Sequence, residues 1–159
     1  MREPKPLFDR KTSFLIAAFI VALFFTLEKC EAAETSMHFA PIVAVGGHIG
    51  SDSFQIGITE RFLQRYEFEA NLTRYEGRMY KNVTTRRIIG DYKFKFLFGV
   101  SWWPDWSPGT GSTMTFNLGM RYDFSDRFAL DYNHNSDAGS NDHYNDGLDV
   151  ISVRYSFGK

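Results

Sequence analysis

From Phe54 to the C-terminus, apolar and polar residues alternate with period two, and no stretch sustains a helical period. Met114, Phe116, Leu118, Met120, Tyr122 and Phe124 share one face of a strand, against Thr115, Asn117, Gly119, Arg121 and Asp123 on the other. Tyr92, Phe94, Phe96, Phe98, Val100 and Trp102 alternate with Lys93, Lys95, Leu97, Gly99 and Ser101. Tyr66, Phe68, Ala70 and Leu72 alternate with Glu67, Glu69, Asn71 and Thr73, and Phe54, Ile56 and Ile58 begin a similar strand. The pattern predicts strands near 37–48, 53–62, 65–76, 91–103, 112–124, 127–136 and 147–157. A weaker eighth falls between Val83 and Ile89. Turn residues at Gly50–Asp52, Ser107–Gly111 and Ser125–Arg127 separate them.

Alternation alone fits a soluble sandwich as well as a membrane barrel. Three features favour the barrel. The polar faces carry both signs of charge (Glu67 and Glu69, Lys93 and Lys95, Arg121 and Asp123), which could pair across a small polar interior. Aromatics crowd the strand ends at Tyr92, Trp102, Trp103 and Trp106, as in an interfacial girdle. The N-terminus reads as a secretory signal, which delivers the chain to the compartment such barrels need. The expectation is an all-β fold, a small antiparallel transmembrane β-barrel of eight strands, because bacterial single-chain barrels have even strand numbers. A secreted soluble β-domain that binds an apolar ligand, its aromatic faces turned inward, is the alternative.

Arg2, Lys5, Arg10 and Lys11 form a basic start, and an apolar run follows from Phe14 to Leu27. That run is short for a transmembrane helix and suits a signal peptide. Cleavage after Ala32 would place Cys30 and Ala32 at the small-residue sites, giving a signal peptide over 1–32 and a barrel domain over 33–159. Two alternatives stay open. Cys30 could be a lipoprotein anchor, although Lys29 stands where a small residue is wanted, and the apolar run could be a retained anchor helix. The single Cys excludes an internal disulfide framework. A formal net charge of −1 lacks the field that nucleic-acid binding requires.

The chemistry concentrates after Phe128. Phe128, Leu130, Tyr132, His134 and Ser136 share a face, so a face that should meet lipid ends in a His and a Ser. By strand geometry their Cα atoms lie about 7 Å apart, close enough for the side chains to lean together. A hydroxyl nucleophile needs such an adjacent base. In the closing strand Asp149, Ile151, Val153, Tyr155 and Phe157 alternate with Val150, Ser152, Arg154 and Ser156. A hairpin over 137–147 would return Asp149 to the neighbourhood of His134 and Ser136, where a carboxylate could orient the imidazole.

His134-Asn135-Ser136-Asp137-Ala138-Gly139, Asn145-Asp146-Gly147-Leu148-Asp149 and the strand to Phe157 resemble the PagL-type lipid A 3-O-deacylases, serine esterases of the bacterial outer membrane. The resemblance covers the last third of the chain well and the earlier strands only as architecture. It implies His134 as general base, Ser136 as nucleophile and Asp149 as the acid, with Asp137, Ala138 and Asn145 in support of the oxyanion. It implies hydrolysis of an ester-linked 3-hydroxyacyl chain of lipid A, with lipopolysaccharide and outer-membrane lipids as partners and no cofactor; a homodimer stays open. The chain departs from the family at two positions. Asp137 stands where the family usually has Asn, and its carboxylate would repel an oxyanion although its N–H could donate. Asp149 stands where the family commonly has Glu. A non-catalytic structural or adhesive barrel is the competing reading, and Asp137 favours it.

Blander readings apply elsewhere. His134 and Ser136 could be rim residues, and Asp149 a turn residue after Gly147. The Asp and Asn residues of 137–146 lack calcium-loop spacing. His38, His48 and His143 show no partner pattern and read as structural or solvent-exposed. The two Asn-x-Thr matches, at Asn71 and Asn82, are coincidental in a bacterial setting.

Overall fold

A computed structural model describes residues 34–62, 65–90, 92–137 and 146–157. The predicted signal peptide and its cleavage site lie outside the described residues. Nine strands occur in chain order: β1 (Glu34–Val45), β2 (His48–Ile49), β3 (Phe54–Phe62), β4 (Tyr66–Tyr75), β5 (Arg78–Ile89), β6 (Phe94–Trp102), β7 (Met114–Asp123), β8 (Phe128–Ser136) and β9 (Leu148–Phe157). Among the described residues there is no helix. β2 is a two-residue arm folded back on the end of β1. The eight long strands pair antiparallel in the order β1, β3, β4, β5, β6, β7, β8, β9, and β9 pairs again with β1. The sheet therefore closes into an eight-stranded barrel with no open edge, as hydrocarbon surroundings require.

The predicted faces are the observed ones. Exposed on the outer wall are Ile56, Ile58, Phe94, Phe96, Phe98, Val100, Met114, Phe116, Leu118, Met120 and Tyr122. Inside lie Thr59, Glu67, Glu69, Arg86, Ser101, Arg121, Asp131 and Arg154, all buried. A soluble protein has the opposite distribution; this one places apolar side chains where lipid would solvate them.

Two expectations need correction. The weak eighth strand is β5, and it is long, running from Arg78 to Ile89 and pairing with β4 over its whole length. Its outward residues include Lys81, Thr85 and Arg87, so both faces are partly polar and the alternation blurs. Glu76 and Gly77, both at positive φ (47° and 76°), make the two-residue turn that starts it. Trp103 does not belong to an aromatic girdle. It follows Leu97, Gly99 and Ser101 on the inward face, is fully buried, and donates its indole N–H to Thr115 Oγ1 at 3.0 Å. Tyr92, Trp102 and Trp106 are exposed, as a girdle would have them.

The lumen is filled. At its centre the guanidinium groups of Arg86, Arg121 and Arg154 interlock with the carboxylates of Glu67, Glu69 and Asp131. Arg121 binds Glu67 through Nη1 (2.5 Å) and Nη2 (3.0 Å), and Asp131 through Nε (2.7 Å) and Nη2 (2.9 Å). Arg154 binds Asp131 through Nε (2.9 Å) and Nη2 (2.7 Å), and Glu69 through Nη2 (2.8 Å). Arg86 binds Glu67 at 3.1 Å and also Glu69 and Asn133. Three cations meet three anions; Arg121 is bidentate to both Glu67 and Asp131, while Arg86 and Arg154 each bridge two of the carboxylates. Near one mouth Lys95 pairs with Asp123. Towards the other mouth, Ala40, Val43, Tyr75, Trp103, Leu148 and Val150 form an apolar plug.

Candidate active site on the outer wall

The chain enters β1 and leaves β9 at one mouth, the terminal end, where successive strands are separated by only three or four residues (63–65, 90–93 and 124–127). The opposite mouth carries the longer connections, 103–113 and 137–147. His134, Ser136 and Asp149 lie on the outer wall at this loop end. The register sets His134 directly opposite Asp149 across the β8–β9 pair. Opposed residues have Cβ atoms about 5 Å apart, so a short carboxylate suffices to reach the ring. Asp149 Oδ1 lies 2.8 Å from His134 Nδ1. With a carboxylate as its partner Nδ1 is the donor, and Nε2 is left unused by Asp149, the orientation a general base needs. Both side chains are about one-third exposed, unlike the sealed lumen charges.

Ser136 follows His134 one pleat nearer the loop end, on the same outward face and half-buried, opposite Phe116 of β7. Among the described residues no hydrogen bond joins its hydroxyl to the ring. Asp137 is half-buried just past the strand. Ala138 and Asn145 lie outside the described residues, as does His143. His38 is buried in the lumen with Nδ1 3.7 Å from Glu69, and His48 is exposed at the loop end, so neither joins the site.

Two further residues belong to the site: Tyr132, which no motif marked, and Gly147, which stood in the matched Asn145–Asp149 segment without an assigned role. Tyr132 Oη donates to Asp149 Oδ1 at 2.6 Å. It stands opposite Ile151, on the diagonal from Asp149, within the reach of a phenol. The signal available was its place in the outward series with His134 and Ser136. Gly147 packs against the imidazole: a Cβ there would come 2.6 Å from His134 Cε1 and 3.3 Å from Nε2, and its φ is +66°. Only glycine fits both demands.

The rim holds Gly147 in place. Gly46 N–H donates to Asp146 O at 2.9 Å, and Asp146 N–H donates to Gly109 O at 3.2 Å. Gly109, at φ +85°, sits so close that a Cβ would come 2.5 Å from Val45 Cγ1 and 2.8 Å from Gly147 O. The 103–113 connection thus buttresses the strand end that carries Asp149. The surroundings are apolar: Phe116 and Leu118 on β7, Ile151 and Val153 on β9.

No protein-family model matches this chain, and no curated protein does. Among solved structures it is similar to Ail, the attachment invasion locus protein of Yersinia pestis, crystallised in complex with the heparin analogue sucrose octasulfate. The identity is 14% over 79% of this chain and 97% of that one, with a TM-score of 0.42.

Proposed function

We propose that the protein is a barrel of the bacterial outer membrane that hydrolyses an ester within the bilayer, its substrate an ester-linked 3-hydroxyacyl chain of lipid A. The observation that carries this reading is the His134–Asp149 hydrogen bond on an otherwise apolar outer wall, with Ser136 next along the same face. Lipid-facing polar groups are costly unless they have work to do. Longer connections are typical of the extracellular mouth of such barrels, which supports a site in the outer leaflet, where lipid A would be met.

Ser136 Oγ attacks the ester carbonyl as His134 Nε2 takes its proton. Asp149 stabilises the imidazolium that forms. Collapse of the tetrahedral intermediate releases the sugar hydroxyl, which takes the proton back from His134, and leaves an acyl-enzyme. Water, deprotonated by the same ring, then releases the hydroxy fatty acid. Backbone N–H groups at the start of the 137–147 connection would meet the oxyanion. Substrate arrives laterally from the leaflet, its acyl chain lying along Phe116 and Leu118 or Ile151 and Val153. The scheme uses no cofactor. The Ser136–His134 bond would form when substrate aligns the hydroxyl, since catalytic hydrogen bonds tighten in the Michaelis complex.

The absence of that bond and the carboxylate at Asp137 favour a second reading, a non-catalytic barrel. Mass spectrometry of lipid A from cells expressing the protein or Ser136→Ala at equal level separates the two. Loss of one hydroxyacyl chain only with Ser136 present supports the esterase. Unchanged lipid A with folded protein in the outer membrane supports the non-catalytic barrel.

A further inference from the structure

We propose that Tyr132 is a positioning residue for the His134–Asp149 pair, making the outer-wall site a relay of Tyr132, Asp149, His134 and Ser136. The proposal rests on the esterase reading. Its basis is that one oxygen, Asp149 Oδ1, accepts from both Tyr132 Oη (2.6 Å) and His134 Nδ1 (2.8 Å).

Each donor contributes something the other cannot. The imidazole faces Asp149 squarely across the strand pair, so its bond fixes a distance but leaves the carboxylate free to rotate. Tyr132 approaches from one pleat nearer the terminal end, and the two directions together fix the carboxylate plane. The second donor also carries part of the negative charge on a wall where water is scarce. It holds the carboxylate oxygen where His134 Nδ1 donates to it and orients the ring so that Nε2 faces away from Asp149. The other outward residues of β8 nearer the terminal end, Phe128 and Leu130, are apolar. A phenol there for membrane contact alone would not need its hydroxyl on this carboxylate.

The test is hydrolysis of a p-nitrophenyl ester by the full-length protein folded in detergent–lipid micelles. Folding is confirmed for each variant by heat-modifiable gel mobility. The variants are Tyr132→Phe, Asp149→Asn, the double variant, Ser136→Ala as the zero, and Leu130→Ala as a wall control. Tyr132→Phe should lower kcat about tenfold, the scale of one hydrogen bond to a charged group, with KM little changed. Adding Tyr132→Phe to Asp149→Asn should cost nothing further, because the tyrosine acts through that carboxylate. Leu130→Ala should match the wild type. Unchanged turnover in Tyr132→Phe, factors that multiply in the double variant, or an equal loss in Leu130→Ala would each overturn the positioning role while leaving the esterase standing. A wild type no faster than Ser136→Ala would overturn the esterase, and this proposal with it.

Discussion

Asp131 and Tyr132 are neighbours in the chain, yet they belong to two polar clusters that share only the wall between them. Asp131 faces inward to Arg121 and Arg154 and is fully buried. Tyr132 faces outward to Asp149 and His134, where the side chains are about one-third exposed. Both clusters set a carboxylate against nitrogen donors. Inside, the guanidinium and carboxylate edges are met on several sides and the plug covers one end. Such a cluster is closed to substrate, and its role is to let a polar lumen be packed. Outside, Asp149 has two donors on one oxygen, His134 keeps a nitrogen unused by Asp149, and a hydroxyl stands nearby. Similar residue types hold the barrel together on one face and are open to chemistry on the other. The difference lies in how completely each group is satisfied.

That contrast can be broken in four ways. Ser136→Ala should lower ester turnover by about a thousandfold or more, because a nucleophile has no substitute. Its unfolding midpoint in urea should stay with the wild type, since a half-buried hydroxyl with no bond to the ring contributes little. Asp149→Asn should lower turnover by about two to four orders of magnitude, read in the same micelle assay, by removing the anion that holds His134 in its tautomer. Arg121→Ala should do the reverse. It takes two bonds each from Glu67 and Asp131, leaving three buried carboxylates to share Arg86 and Arg154, and should cost about 3–5 kcal/mol of stability, read as a lower urea midpoint. The fraction that remains folded should turn over ester nearly as fast as the wild type. Gly147→Ala should lower turnover about a hundredfold, the scale of a misplaced catalytic group, by pushing the His134 ring aside. The lost left-handed glycine should cost stability by about 1–3 kcal/mol as well. A large stability loss in Ser136→Ala, or a large activity loss in folded Arg121→Ala, would mean that the clusters are not separate.

Much of this was legible along the chain, because strand parity is a strict rule. It placed Glu67, Glu69 and Arg121 inside and His134, Ser136 and Asp149 outside, and a hairpin over 137–147 sufficed to bring Asp149 to His134. The same rule placed Trp103 inside, with Leu97, Gly99 and Ser101; grouping it with the girdle gave local aromatic density more weight than parity. β5 was faint for a physical reason. Arg86 and Thr84 point inward while Arg87, Thr85 and Lys81 point outward, so polarity does not reveal the faces, and its backbone pairing with β4 and β6 supplies the order. Tyr132 was seen only as one apolar-face residue, since the alternation does not say which hydroxyl finds a carboxylate on the diagonal. Gly147 stood in the matched Asn145–Asp149 segment, but nothing there assigned it a contact with the ring. Its contact with the imidazole depends on the 103–113 connection reaching over the mouth to Asp146, a non-local fact that no spacing encodes.

The most direct test of the outer-wall site is covalent labelling. The folded protein in detergent–lipid micelles would be treated with a fluorophosphonate and the modified residue located by peptide mass spectrometry. The account predicts one phosphonylated residue, Ser136, labelled far more slowly in His134→Ala. No label on Ser136, or labelling at a rate indifferent to His134, would contradict it.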